Sequence, residues 1–177
     1  MRRVLASFLV GGCVLSTAIT VQARGDGAAA GTVCSLLARD LVMKTETAEG
    51  RKVLERSEPV EDWVGKVRRE NGLPAQPSVS SCKYGRVTLV LEPWARPEEV
   101  RKAMRTRTPP WKDVQPVSGV GDAAFFDANS SYANLFVWTG ARHFHIEMGV
   151  GFLADEDTEA LKPNAVALAN AIIPQLQ

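Results

Sequence analysis

Two neighbouring apolar segments, residues 133–139 and 143–150, constrain the fold most, because only Gly140-Ala141-Arg142 separates them. A link this short predicts a hairpin of two antiparallel strands. The second segment alternates between two sets of residues: Phe144, Ile146, Met148 and Val150, and His143, His145, Glu147 and Gly149. Each set shares one face of the sheet. One face is therefore expected to join the core, and the other to meet solvent or a ligand.

The remaining segments follow an order typical of an α+β domain. Apolar runs bounded by proline and glycine predict further strands at residues 79–83, 86–92, 114–117 and 123–127. Helical spacing of apolar residues predicts helices at 32–44 and 57–70, a short helix from Pro97 and a final helix from Pro163, with a loop at 45–57. Short links between strands favour an antiparallel β-sheet with helices packed on one face. Residues 32–177 are expected to form this single domain.

The N-terminus has the layout of a secretory signal peptide. A basic start precedes an uncharged apolar run at residues 4–21, and Val21-Gln22-Ala23 fits a cleavage site. We therefore expect residues 1–23 to be cleaved, residues 24–31 to be a flexible lead-in, and the mature protein to be periplasmic or secreted. Two alternatives remain open: an uncleaved membrane anchor, or a lipoprotein signal with lipid on Cys13. Only these alternatives would tie the chain to a membrane.

Cysteine count supports an oxidising compartment. The chain has 3 cysteines, and cleavage after Ala23 would remove Cys13. The remaining pair, Cys34 and Cys82, would most simply form one disulfide, with two separate buried thiols as the alternative. No CxxC motif occurs, so the sequence supports neither a thioredoxin-type redox site nor a zinc knuckle.

Composition excludes two classes of protein. The chain is 45% hydrophobic and 23% charged, so it is not a disordered tail. Its 21 basic and 20 acidic side chains leave a net charge of +1, which gives little long-range attraction for nucleic acid. We therefore expect no nucleic-acid partner, and no motif predicts a cofactor.

His143-x-His145-x-Glu147 is the clearest chemical pattern. Spacing of two along a strand directs all three side chains to the same face, and imidazole with carboxylate suits zinc or copper. The alternative interpretation is the polar outer face of an amphipathic strand. The sequence offers no obvious fourth ligand.

A second candidate is a segment rich in arginine and tryptophan. Its candidate binding residues are Trp94, Arg101, Lys102, Arg105, Arg107 and Trp111. Arginine and tryptophan together are common in binding hot spots and in anion or glycan recognition. The alternative is a solvated helix face that is partly neutralised by Glu98 and Glu99.

Several short motifs occur in a familiar order. After a cysteine on the first helix come Ser81-Cys82-Lys83-Tyr84, the segment Val117-Ser118-Gly119-Val120-Gly121-Asp122-Ala123-Ala124-Phe125, Leu135-Phe136-Val137-Trp138-Thr139-Gly140, and a closing Ala165-Val166-Ala167-Leu168-Ala169-Asn170 helix. The chain thereby resembles small secreted and lipoprotein domains of unknown function known from actinobacteria, similar to the extracellular sensor domain of the kinase PknH. This resemblance covers about residues 32–177. It implies an antiparallel sheet with helices on one side, a disulfide from the first helix to the sheet, and no established catalytic residues.

Together these features predict an exported, non-enzymatic binding or sensor-like domain whose ligand the sequence does not identify. One alternative is a small metal-binding protein that uses the strand face of His143, His145 and Glu147. Another is a module that binds or inhibits a partner protein.

Overall fold

The computed structural model describes residues 32–106, 114–150 and 157–177. The expected signal peptide and lead-in, and the candidate residues Arg107 and Trp111, lie outside these ranges. The helices are α1 Val33–Leu36, α2 Arg39–Thr45, α3 Ala48–Leu54, α4 Trp63–Glu70, α5 Pro97–Arg105 and α6 Lys162–Ile172, with 3-10 turns at Thr158–Leu161 and Ile173–Gln175. The strands are β1 Val60–Glu61, β2 Ser80–Tyr84, β3 Val87–Glu92, β4 Gln115–Pro116, β5 Ala123–Ala128, β6 Tyr132–Thr139 and β7 Arg142–Gly149.

All seven strands form one antiparallel sheet in the order β1-β2-β3-β7-β6-β5-β4. The predicted hairpin is β6 with β7, and β7 also pairs with β3 along its other edge. Both outermost strands, β1 and β4, have only 2 residues. The prediction of an α+β domain with an antiparallel sheet is confirmed, and each predicted strand lies within one or two residues of its expected bounds.

The main core lies on the sheet face that carries Phe144, Ile146 and Met148, as the alternation predicted. These side chains are buried together with Leu89, Phe126 and Leu135 from neighbouring strands. The α6 helix covers them with residues at helical spacing, namely Ala165, Leu168, Ala169 and Ile172. Fully burying a large apolar side chain contributes about 1.5 to 3 kcal/mol, so each of these residues stabilises the fold substantially.

Helices lie against both faces of the sheet. The sequence analysis predicted helices on one face of the sheet; α1, α2, α3 and α6 lie on the main-core face, whereas α4 and α5 lie on the opposite face. On that side Met104 of α5 packs with Phe136 and Trp138 in a second, smaller core. The Val64 amide of α4 donates to Ser81 Oγ at 2.9 Å. This second face can bind a helix because apolar Phe136 and Trp138 interrupt its polar residues.

Three predictions of helical structure need correction. The predicted helix at 32–44 is two helices, because Leu37 and Ala38 leave helical geometry and Leu37 enters the core. The segment predicted as a loop, 45–57, contains α3, whose N-terminus is capped by the Thr47 side chain accepting from the Gly50 amide. The helix predicted from residue 57 begins at Trp63, because residues 60–61 pair with β2.

A disulfide and a buried ion pair connect the N-terminal helices to the sheet. The predicted bond between Cys34 and Cys82 is present, with the two Cα atoms 5.0 Å apart. Arg86, just before β3, donates through Nη2 to Glu46 Oε2 at 3.0 Å and to Thr47 Oγ1 at 2.8 Å. A Cβ atom at Gly50 would collide with both the Glu46 carboxylate and the Arg86 guanidinium, so a larger residue there would displace this buried pair.

Candidate functional site

A cavity of about 390 Å³ lies on the second sheet face, beside α5. Its floor comes from the sheet and carries Glu92, Asn134, Phe136, His143, His145 and Glu147. The α5 helix contributes an apolar wall of Val100, Ala103 and Met104. The segment between β3 and α5 completes the rim with Pro93, Trp94 and Ala95. The cavity therefore combines an apolar wall with a cluster of polar groups on one side.

Strand register explains why these polar side chains meet. Directly paired residues in an antiparallel sheet share a face. His143 pairs with Glu92 of β3, and Glu147 pairs with Asn134 of β6. The His143, His145 and Glu147 set predicted from the sequence thus lies together at the cavity, and the sheet adds Glu92 and Asn134, which the sequence analysis did not identify.

Both histidines face the same carboxylate. The Nε2 atom of His143 lies 3.5 Å from Glu92 Oε2, and the Nδ1 atom of His145 lies 3.2 Å from the same oxygen. The His143 side chain is only 2% exposed, whereas that of Glu92 is 30% exposed. Glu92 therefore connects the buried histidine to the open part of the cavity.

Aromatic stacking fixes the orientation of the imidazoles. The His143 ring is stacked on Trp138 with centroids 4.3 Å apart and an interplanar angle of 8°. The His145 ring lies 5.1 Å from Phe136, tilted by 34°. Trp138 is itself held in place, because its Nε1 donates to the Ala95 carbonyl at 2.7 Å. The same indole therefore orients His143 and anchors the rim segment.

Burial shifts the pKa of two residues on the cavity floor. It lowers the pKa of His143 below the ordinary value of 6.5, although the nearby Glu92 carboxylate acts in the opposite direction. It raises the pKa of Glu147 above 4.5, against opposing effects of His145 and Lys83. The His143 imidazole is therefore neutral at pH 7, and deprotonated Glu147 would benefit from a positive partner.

The described part of the arginine-rich segment reaches the cavity at one residue. Of its described members, Trp94 lines the rim and is 54% exposed. The Arg101 guanidinium lies over the Phe125 ring, 5.2 Å from its centroid, outside the cavity lining. Lys102 and Arg105 are exposed on α5 and do not line the cavity either. Among the described residues, the two candidate sites predicted from the sequence therefore meet only through Trp94.

The metal-binding hypothesis finds no preformed ligand set in the described part of the chain. Among residues 32–106, 114–150 and 157–177, no three His, Cys, Asp or Glu side chains are arranged to hold a metal ion together. The carboxylate oxygen nearest to both imidazoles belongs to Glu92, not to the predicted Glu147. Metal binding by His143, His145 and Glu147 stays a prediction.

Comparison with known protein families, with curated proteins and with solved structures found no match to this chain. The resemblance to actinobacterial secreted domains therefore depends on the short motifs alone. Within the described ranges, no helix combines the length and apolar character needed to cross a bilayer.

The buried state of His143 predicts an acid-sensitive contribution to stability. Because its pKa is lower in the folded than in the unfolded chain, the unfolded chain takes up this proton first, and the free energy of unfolding falls as the pH drops below 6.5. One such proton contributes at most about 1.4 kcal/mol per pH unit. The variant His143→Phe keeps the ring stack but cannot take up this proton. Its free energy of unfolding in urea should therefore fall less between pH 7.5 and pH 5.5 than that of the parent protein.

Glu147 gives a contribution of opposite sign, since its raised pKa makes stability fall as the pH rises above 4.5. Glu147 is present in both the parent protein and His143→Phe, so its contribution largely cancels when the pH dependence of the two proteins is compared. Equal pH dependence of the parent and of His143→Phe would contradict the prediction.

Proposed function

We propose that this chain is an exported, non-enzymatic binding domain whose ligand is a small molecule held in the cavity beside α5. The observation that carries the proposal is the cavity itself: about 390 Å³, with one apolar wall and a compact group of polar side chains. Natural small-molecule sites have this size and this mixture of apolar surface with a few polar groups.

The composition of the lining favours binding over covalent catalysis. Among the described lining residues there is no serine, threonine, cysteine or lysine that could act as a nucleophile beside the histidines. The polar side chains among the described lining residues are two carboxylates, two imidazoles and one amide, which are suited to orienting a ligand.

Two features support export. The disulfide between Cys34 and Cys82 is of the kind that persists in oxidising compartments. The uncharged apolar run at residues 4–21, with the cleavage pattern that follows, supports entry into the secretory route.

A thermal-unfolding panel on the purified, oxidised protein tests the proposal. The panel contains amines, sugars, anions, nucleotides, and zinc with and without EDTA. A ligand present at 100 times its dissociation constant adds about 2.7 kcal/mol. For a domain of this size that stabilisation raises Tm by about 5 to 10 °C.

Two tryptophan variants on α5 locate the binding site. Ala103→Trp should fill the cavity and abolish the rise in Tm, whereas Lys102→Trp, on the same helix but outside the cavity lining, should retain it. Loss of the rise in Lys102→Trp but not in Ala103→Trp would place the ligand on the basic face of α5. A rise with zinc alone that EDTA reverses would favour the metal-binding alternative, and no rise with any compound would favour a protein partner.

A further inference from the structure

Asn134 is a buried amide on the floor of the cavity. The residue lies in β6, is only 3% exposed, and lines the cavity. Its side-chain amide makes no hydrogen bond to any residue within the ranges 32–106, 114–150 and 157–177. Burial of an amide without such a bond costs free energy unless another group satisfies it. Both amide atoms of Asn134 therefore need a partner that enters the cavity.

The polar groups of the floor fall into two sets along the strands. At one end His143 and His145 both face the Glu92 carboxylate, so these three side chains interact with one another. At the other end Glu147 is paired with Asn134 in the register of β7 and β6. Directly paired residues have Cβ atoms about 4.5 to 5.5 Å apart. An amide and a carboxylate therefore stand side by side at this end.

The chemistry of the amide restricts the group that satisfies it. A carboxamide side chain presents an acceptor and a donor next to each other. Its complement is a ligand edge that also carries an adjacent donor and acceptor, as carboxamides and nucleobases do. An ammonium group has donors only and a carboxylate has acceptors only, so each would leave one atom of Asn134 unsatisfied. Glu147 is placed to accept a further N–H, and its negative charge disfavours an anion.

The apolar part of the cavity favours a flat ring. Val100, Ala103 and Met104 of α5 form the apolar wall, and Trp94 adds an indole that is 54% exposed at the rim. Aromatic side chains stack on the faces of flat rings with little dependence on the ring's identity. A sugar would instead place hydroxyl groups against apolar side chains, where their hydrogen bonds to water are lost.

We propose that the cavity binds small, neutral, flat ring compounds with an amide-type edge, placing that edge on Asn134 and the ring against Trp94 and α5. Aromatic carboxamides and free nucleobases are the two sources of this chemistry. The inference rests on the proposed function, since it names the class of ligand for the same cavity. It supplies the buried amide of Asn134 with the partner that the described residues do not provide.

Two matched series of probes test the class. Benzamide is compared with acetophenone, which lacks the donor, with benzylamine, which lacks the acceptor, and with the anion benzoate. Uracil is compared with N,N′-dimethyluracil, which lacks both N–H groups. In calorimetric titration of the full oxidised protein at pH 7, benzamide, uracil or both should bind at least about tenfold more tightly than their analogues. A preference in one series alone identifies the source.

An apolar variant separates recognition by Asn134 from a structural role. Asn134→Leu keeps a side chain of similar size, and because no described residue bonds to the amide, the urea midpoint of the ligand-free protein should stay equal or rise. Binding of the preferred probe should weaken by at least about tenfold. The matched control Asn170→Leu, exposed on α6 and outside the cavity lining, should leave the affinity unchanged.

A second pair of variants tests the stacking surface. Trp94→Ala should weaken binding of the preferred probe by at least about fivefold, because the ring loses its aromatic partner. Tyr132→Ala removes another exposed aromatic ring, outside the cavity lining, and should leave the affinity unchanged.

Each contrary outcome overturns a stated part of the inference. Equal affinity for benzamide and acetophenone, both lost in Ala103→Trp, would keep the cavity as a binding site but overturn selection for an amide edge. Unchanged affinity in folded Asn134→Leu would overturn the role of that residue. If this variant does not fold, the comparison of uracil with its dimethyl analogue on the parent protein still decides the class.

Failure of the ligand class is distinguishable from failure of the cavity proposal. If no ring probe binds, but a compound of the thermal-unfolding panel raises Tm and Ala103→Trp abolishes that rise, the ring class is wrong and the cavity proposal stands. Absence of binding by every ring probe and every panel compound would overturn both.

Discussion

Replacing Arg86 with methionine is expected to lower the free energy of unfolding by about 3 to 5 kcal/mol. The Arg86 and Glu46 side chains are 6% and 1% exposed, and their Nη2 and Oε2 atoms are 3.0 Å apart. Methionine would leave the Glu46 carboxylate buried without its positive partner, and the Thr47 amide, which donates to the same oxygen at 3.1 Å, cannot replace that charge. Urea unfolding at pH 7 measures the loss.

A double variant provides the control for this prediction. Glu46→Gln combined with Arg86→Met removes both charges together, and it should recover a substantial part of the stability that Arg86→Met alone loses. Arg86→Met with less than about 1 kcal/mol of destabilisation would show that the pair is not needed to join α2 and α3 to the sheet.

Removing the disulfide is expected to cost about 4 kcal/mol, because Cys34 and Cys82 are separated by 48 positions and their bond restricts a long loop in the unfolded chain. The variant Cys34→Ala with Cys82→Ala avoids leaving a free thiol in the core, where Cys82 is fully buried. Its midpoint of urea unfolding, compared with that of the oxidised parent, measures the effect.

Reduction of the parent protein gives an independent measurement of the same contribution. Reduced parent and double-alanine variant should unfold at similar urea concentrations, since both lack the restriction on the unfolded chain. Stability of the variant equal to that of the oxidised parent would mean that packing of α1 on β2 suffices without the covalent bond.

Strands were predictable here because their signal is local. Alternation along 143–150 and the short link at 140–142 define the hairpin without knowledge of any distant residue. The α3 helix was missed because its sequence, Ala-Glu-Gly-Arg-Lys-Val-Leu, offers only one apolar pair near its end. Its stability comes instead from the Thr47 cap and from packing beside the Glu46–Arg86 pair, which is a tertiary effect.

The candidate site likewise contains residues that the local sequence predicts and residues that are brought in by pairing of distant strands. The hairpin register that pairs Glu147 with Asn134 follows from the turn, so Asn134 could have been found from sequence. Glu92 could not, because its pairing with His143 joins β3 to β7 across a long stretch of chain. Burial of His143 was also unpredictable, since it depends on stacking with Trp138 on a face that α5 covers in part.

The two-residue strands at the ends of the sheet have a consequence for behaviour in concentrated solution. A long open edge invites a strand from another molecule to continue the ladder, which is a common start of aggregation. Here β1 offers such a strand only two residues, and β4 offers two of which one, Pro116, has no amide hydrogen to donate. The outermost described strands therefore offer an incoming strand little backbone with which to continue the sheet.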